Sequence, residues 1–202
     1  MADQESVGAD PAPGSTPARW TAATVHADMW VDEAEDPRET GPAGTDERSV
    51  LADYLRRYRL TLEMKCAGLD AEQLARRSVP PSTMSLLGLV RHMAEVERIW
   101  FRRTIAGQDV AMLYCTPESR DEDFDGARAD DGVVRRAWSD WRAEVAFAEE
   151  LLSRTEDLGA TVERHGGPLP VRDILVHMVE EYARHCGHAD LLRECVDGRV
   201  GQ

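Results

Sequence analysis

The chain has 202 residues, with 38 acidic side chains against 24 basic ones and a formal net charge of −14. This length fits one domain that is large enough to bury a core. The acidic excess argues against nucleic-acid binding and against docking on an anionic membrane, because both need clustered lysine and arginine. No apolar run approaches the roughly 18 residues of a membrane span, and the first residues lack the features of a signal peptide, so we expect a cytoplasmic protein.

Residues 1–44 differ in composition from the rest and are predicted to form an acidic, proline-rich, flexible arm. The first 48 residues contain 11 acidic and 3 basic side chains and five of the ten prolines, with no sustained apolar period. A segment of this composition buries too little apolar surface to offset the conformational entropy that it would lose on ordering. Trp20, Met29 and Trp30 are exceptions, and they could attach part of the arm to the domain or to a second subunit of a homodimer.

From residue 45 to residue 199 the apolar residues recur at the spacing of amphipathic helices, with no strand-like alternation between them. We therefore predict an all-α fold, a four-helix bundle. The long helices are predicted over residues 45–68, from Ser82 or Ser85 to Gly107, over residues 131–155 and over residues 170–197. A short helical turn is predicted over residues 71–77, and residues 165–168 are predicted to be a turn.

Residues 108–130 separate the second and third long helices and form an acidic stretch without a clear period. A connection of this length is too long for a simple helical hairpin, and long loops of this kind are often functional. Cys115 lies in this acidic loop. It is a candidate reactive thiol near the mouth of a site, although no neighbour in the sequence would lower its pKa.

The last helix places ionisable side chains on its inward edge. If Met178 marks the centre of the buried stripe, a helix that turns about 100° per residue puts His185 within the stripe and Glu181 and His188 at its edge. Burying a carboxylate is costly unless it is paired or bound to a metal. We therefore expect Glu181 to be the single inward carboxylate of the domain and to need a cation.

His92 on the second long helix supplies a matching group. It follows Leu89 by three residues and precedes Val96 by four, which places it on the apolar face. Two imidazoles and one carboxylate would give the three protein ligands of a catalytic zinc site, with a fourth position open. Each part of this set also has a simpler interpretation. His92 by itself fits a hydrogen-bonded core histidine, and Glu181 with His185 fits an exposed i,i+4 ion pair.

A family resemblance lies in two stretches, LVRHMAEVER (residues 89–98) and EYARHCGHADLLRE (residues 181–194). They resemble the DinB-like (YfiT-like) superfamily of metal-dependent four-helix bundles. More narrowly, they are similar to its actinobacterial branch of mycothiol transferase-like proteins. The resemblance covers about residues 45–199, which is nearly everything outside the arm.

The resemblance implies that His92, Glu181 and His185 are the metal ligands. The common motif of the superfamily has a histidine where this chain has Glu181, but a mycothiol-dependent maleylpyruvate isomerase of the superfamily also uses a His, Glu, His set. His188 stands where the motif has a glutamine. It is expected to be a catalytic base or to face the substrate, and it also competes with Glu181 as the third ligand.

The activity implied by the resemblance is that of a metal-dependent S-transferase. It would add or exchange a low-molecular-weight thiol, mycothiol, on a small electrophilic substrate, with a metal-bound thiolate as the nucleophile. The metal would be Zn²⁺, with Ni²⁺, Mn²⁺ and Fe²⁺ as alternatives, because geometry and availability decide. Two other functions stay open from the sequence: a hydrolase that uses metal-bound water, and a non-catalytic dimeric module that binds a metal or another ligand.

Other ionisable residues are weaker candidates for a part in the metal site. Asp190 and Glu95 could orient the ligating imidazoles by hydrogen bonding to them. His177 is a weaker candidate than His188 for the third metal ligand. The sequence predicts that His26 and His165 are exposed to solvent.

Overall fold

The computed structural model describes residues 17–41, 44–164 and 166–202. Within these residues the α-helices, in chain order, are α1 (Glu47–Cys66), α2 (Ala71–Ala75), α3 (Leu86–Glu97), α4 (Glu122–Asp125), α5 (Asp131–Arg154) and α6 (Val171–Asp197). A π-helical segment, Arg98–Ile105, extends α3, and two 3₁₀ turns, Glu33–Glu35 and Pro37–Thr40, precede α1. The long helices confirm the predicted all-α bundle. No helix of the described residues is both long and apolar enough to cross a membrane.

Three of the long helices begin at a side chain that caps the first turn. Asp46, Ser85 and Asp130 each accept a hydrogen bond from the backbone N–H three residues further along, which satisfies an amide that the helix leaves free. The second long helix therefore begins after Ser85 and not after Ser82. The last helix ends where Gly198 takes a φ of 81°, a left-handed conformation that costs a glycine nothing sterically.

A β-hairpin lies between α5 and α6, where the sequence predicts only a turn. Strand β1 (Thr161–Arg164) pairs antiparallel with strand β2 (Gly167–Pro170). Each strand has only four residues, and Pro168 and Pro170 interrupt any alternating pattern, so the sequence carries no strand signal here. The sequence thus predicts the turn of this hairpin but not its two short strands. His165 lies outside the described residues.

The core lies between the long helices. Helix α1 packs along α6 and α3 packs along α5, while α3 also contacts α6. Each of the four contributes buried side chains, among them Leu62, Met93, Trp141 and Met178. This packing sets α3 beside α6, and these are the two helices that carry the candidate metal ligands.

Residues 17–41 lie against the C-terminal end of the same chain. The Trp20 carbonyl accepts a hydrogen bond from the Val200 N–H, and the Trp30 N–H donates to the Gln202 carbonyl. From the sequence, the tryptophans could attach this segment either to the domain of the same chain or to a second subunit. In the structure Trp20 and Trp30 both contact their own chain. The division of the chain at residue 44 into a flexible arm and a bundle stays a prediction.

Trp30 holds this N-terminal segment to the bundle. Its side chain is 2% exposed, and three cations lie over its ring. Lys65 Nζ lies 4.1 Å from the ring centroid, and the guanidinium carbons of Arg199 and Arg193 lie 3.8 Å and 5.4 Å from it. A cation over the face of an indole is attracted by the electron density of the ring. Trp30 belongs to the N-terminal segment and not to a long helix, but its large aromatic side chain is buried against the bundle.

Replacing Trp30 by alanine is expected to lower the free energy of unfolding by about 3–5 kcal/mol, because a buried aromatic side chain is lost. Trp20→Ala is the matched control: Trp20 is 45% exposed, so its replacement is expected to cost about 1 kcal/mol or less. Urea unfolding followed by circular dichroism measures both variants. Equal losses would show that Trp30 does not hold the segment.

Candidate metal centre

Helices α3 and α6 bring three potential metal ligands together where they meet. His92 of α3 and Glu181 and His185 of α6 each offer one ligand atom, and these atoms lie within 4.8 Å of one another. The rings of His92 and His185 meet edge to face, with centroids 4.7 Å apart. The side chains of His92 and Glu181 are 23% and 25% exposed. The cluster thus lies at the edge of the core, with two of its three side chains partly exposed to solvent.

The positions of the two residues on α6 follow from the helical period. Glu181 and His185 are four residues apart and share one face of the helix, with Glu181 Oε2 3.5 Å from His185 Nε2. His185 also belongs to the buried face that contains Met178 and Tyr182. The inward placement predicted from the sequence therefore brings the imidazole to the contact with α3.

The acidic loop supplies a partner for His92 that the sequence does not reveal. Helix α4 places Asp123 Oδ2 2.7 Å from His92 Nδ1, and the Phe124 ring stacks on the imidazole with centroids 4.9 Å apart. Arg91 holds α4 in place, since its guanidinium donates to the carbonyls of Asp123 and Glu122. Because Nδ1 of His92 is engaged, Nε2 is the nitrogen left for a cation.

The Asp123 carboxyl is suited to this contact. Burial by itself would raise its pKa, but the hydrogen bond and charge of His92 outweigh burial and hold the pKa below its ordinary value. The ionised carboxylate accepts a hydrogen bond from the Nδ1–H of His92 and so selects one tautomer of the ring. The only sequence signals for this partner are the length and acidity of the loop, and neither shows which carboxylate reaches His92.

Asp190 and Glu95, which the sequence suggests as partners of the imidazoles, have other partners. Asp190 Oδ1 lies 2.7 Å from Lys65 Nζ. Glu95 accepts hydrogen bonds from the backbone N–H groups of residues 113–115 and so ties the acidic loop to α3. Both suggestions are wrong, because helical spacing does not show which segment a charged side chain meets.

His188 lies next to His185 but, among the described residues, it is not part of the three-residue cluster. Its Nδ1 is 3.3 Å from His185 Nδ1, so one ring can donate to the other and fix its orientation. Burial, followed by the proximity of His92 and His188, lowers the pKa of His185 to about 4. His185 is therefore neutral at physiological pH, and the neutral imidazole is the form that binds a metal.

His177 contacts the other oxygen of Glu181, with Nε2 3.4 Å from Oε1. Trp100 of the π-helical segment meets the His177 ring edge to face at 4.6 Å, and the Arg164 guanidinium of the hairpin lies 4.0 Å from the Trp100 ring centroid. The hairpin and the π-helical segment therefore form one wall beside Glu181. His26 is exposed and lies in the N-terminal segment.

Glu181 is not the single inward carboxylate, and that prediction is wrong. Its side chain is 25% exposed, whereas Glu95, Glu97, Asp123 and Glu144 are at most 5% exposed. Each of these four has arginine, histidine or backbone N–H partners on its oxygens. A helical projection from sequence misses them because it does not show the donor that a facing segment brings.

A family model described as mycothiol-S-transferase matches residues 50–198. The chain belongs to the mycothiol-S-transferase family. This confirms the resemblance to the DinB-like superfamily seen in the sequence. Among solved structures, a conserved protein from Enterococcus faecalis is similar in fold, with a TM-score of 0.54 and 16% sequence identity, covering 77% of this chain and 99% of that one. Among curated proteins, none matches the chain.

In this member of the mycothiol-S-transferase family, Cys115 is expected to be unreactive. Burial, followed by the negative charges of Asp123 and Glu95, raises the pKa of the Cys115 thiol to about 11. Near pH 8 only about one thousandth of it is thiolate, against about a quarter of an ordinary cysteine.

Iodoacetamide labelling followed by peptide mass spectrometry measures this difference. We expect the exposed Cys195 to be alkylated first, and the rate at Cys115 to rise about tenfold per pH unit up to about pH 10, as its thiolate fraction grows. Equal labelling of the two cysteines near pH 8 would contradict the expectation.

Proposed function

We propose that the protein is a metal-dependent S-transferase that adds or exchanges a low-molecular-weight thiol, mycothiol, on a small electrophilic substrate. The observation that carries the proposal is the convergence of His92, Glu181 and His185 in a chain of the mycothiol-S-transferase family. A cation between these side chains suits the activation of a sulfur nucleophile. The homodimer and the cytoplasmic location expected from the sequence stay predictions.

The three side chains suit a divalent metal ion. Two imidazole nitrogens and one carboxylate oxygen form a ligand set known from catalytic zinc sites, which keep one position open for water or substrate. Both imidazoles have a partner on Nδ1, Asp123 for His92 and His188 for His185, so both have Nε2 available for the ion. Zn²⁺ is the favoured ion, with Ni²⁺, Mn²⁺ and Fe²⁺ as alternatives that the same ligands accept.

A cation held by these residues would lower the pKa of a thiol at its open position. Glu181 contributes a negative charge that balances part of the charge of the cation. Asp123 holds His92 in the tautomer with a free Nε2. In this proposal His188, whose ring lies beside that of His185, is the general base that takes the proton of the incoming thiol.

Metal analysis of protein purified without chelator tests the ligand set. We expect about one divalent ion per wild-type chain, and little metal in His92→Ala and Glu181→Ala, because each loses one of the three ligands. Asp123→Asn keeps all three ligands but weakens the orientation of His92, so its metal affinity is expected to fall about 10–100-fold.

His26→Ala is the matched control for the metal analysis. His26 is exposed in the N-terminal segment, so its replacement should leave the metal content at the wild-type level. A wild-type protein that contains no metal and takes up none on titration would contradict the proposal.

Thermal unfolding of the metal-loaded protein tests the thiol. Mycothiol at about 100 times its dissociation constant is expected to stabilise the folded state by about 2.7 kcal/mol, which raises Tm by roughly 5–10 °C for a chain of this size. Glutathione at the same concentration is expected to leave Tm unchanged. Equal shifts with both thiols would contradict specificity for mycothiol.

His188→Gln tests the general base. It should retain metal and thiol binding, because His188 is not one of the proposed ligands, and should lose roughly 10²–10⁴-fold in the rate of S-conjugate formation. Mass spectrometry of reactions with a panel of alkyl and aryl halides measures that rate. Product release from an ester panel without any thiol would instead favour a hydrolase.

A further inference from the structure

A chain of buried hydrogen bonds crosses the four long helices. Arg59 of α1 donates from Nε and Nη2 to the two carboxylate oxygens of Glu97 of α3, both at 2.8 Å. The Tyr182 hydroxyl of α6 donates to Glu97 Oε1 at 2.7 Å. The Trp141 indole N–H of α5 donates to the Tyr182 oxygen at 2.9 Å. These four residues are called the interhelical network below.

The interhelical network is enclosed in the core. Glu97 and Tyr182 are fully buried, and Arg59 and Trp141 are at most 5% exposed. Replacing a buried ion pair by apolar side chains of similar volume is often neutral or stabilising, so stability alone does not explain such a pair. The best-attested role of buried polar groups of this kind is to select one register between helices.

The interhelical network adjoins the three candidate ligands along both helices that carry them. Tyr182 follows Glu181 directly, and it lies one turn before His185 on the same buried face of α6. Glu97 lies on α3 five residues after His92. A rotation or slide of α6 against α3 would break the bond between Tyr182 and Glu97, and the same movement would carry Glu181 and His185 away from His92.

Metal coordination is more exacting than apolar packing. Ligand distances have to be met within about 0.2 Å, whereas apolar contacts are non-directional and tolerate small shifts of one helix on another. Hydrogen bonds weaken steeply as their angle departs from linearity. Directional bonds between α3 and α6 therefore restrict the helices to a narrower range of positions than the surrounding apolar side chains can.

We propose that the interhelical network is a positioning device for the metal centre. It fixes the register of α6 on α3 at which His92 meets Glu181 and His185. Tyr182 is the positioning residue that carries this register, because its hydroxyl joins α6 to α3 directly. The inference rests on the proposed metal site, and the experiment below distinguishes the failure of one from the failure of the other.

The test is a Co²⁺ titration of the metal-free, full-length protein, well below the lowest Tm of the variants. Visible absorption of bound Co²⁺ reports the geometry of its ligands. Tyr182→Phe removes the hydroxyl and keeps the ring. We expect this variant to bind Co²⁺ about 10–100-fold more weakly than the wild type and to show altered absorption bands, the size of effect typical of groups that support metal ligands.

Leu192→Val and Leu192→Ala are the controls. Leu192 is buried on α6 but makes none of the hydrogen bonds of the interhelical network. The two replacements remove different amounts of buried apolar surface, and they are chosen to bracket the loss of Tm in Tyr182→Phe. Both are expected to bind Co²⁺ with wild-type affinity and wild-type bands.

A triple variant, R59M/E97M/Y182F, provides a second way to distinguish positioning of the ligands from stability of the fold. It replaces the ion pair and the hydroxyl by apolar groups of similar volume and leaves one buried donor, the Trp141 indole N–H, without its acceptor. Tyr182→Phe also leaves this donor unpaired and, in addition, takes a donor from the buried Glu97. The triple variant is therefore expected to lose less Tm than Tyr182→Phe. Its Co²⁺ affinity is expected to fall by about 10–100-fold all the same. An equal loss of affinity at a smaller loss of Tm is a result that a merely stabilising network would not produce.

The inference is overturned, and the metal site stands, if Tyr182→Phe or the triple variant binds Co²⁺ with the affinity and bands of the wild type. It is also overturned if a Leu192 variant of equal Tm loses as much affinity as Tyr182→Phe. A wild-type protein that binds no Co²⁺ overturns the metal site and the inference together.

Discussion

A carboxylate buried between helices needs hydrogen-bond donors for its oxygens, and this requirement organises the bundle. Glu97 is satisfied by an arginine and a tyrosine from two other helices. Glu144 of α5 receives Arg98 and Arg102 from the π-helical segment, and Glu95 receives three backbone N–H groups of the acidic loop. Because each donor comes from another segment, satisfying the charge also determines where two segments meet.

The composition of the chain suits this mode of burial. Of the 24 basic residues, 23 are arginine and only Lys65 is lysine. The planar guanidinium group can donate two parallel hydrogen bonds to one carboxylate and is less strongly hydrated than an ammonium group. Arg59 uses this geometry on Glu97, and Arg38 uses it on the buried Asp36. The arginine bias therefore serves the interior of the protein.

Glu181 differs from the carboxylates that the protein neutralises internally. Among the described residues its ionic partners are the imidazoles of His177 and His185, and no arginine or lysine is paired with it. Its position at the edge of the core leaves its charge available to a ligand. The contrast with Glu97, whose charge is fully used inside the bundle, supports the proposal that Glu181 binds a cation.

The sequence by itself determined the long helices, their approximate ends and the inward edges that carry His92, Glu181 and His185, because helical period and capping are local properties of the chain. It did not determine that the acidic loop brings Asp123 to His92, which lies 31 residues away, or that β1 and β2 form a hairpin. It also missed the buried Glu97. Only the tertiary structure decided these, since burial of a charge and choice of a partner depend on segments that are distant in sequence and meet after folding.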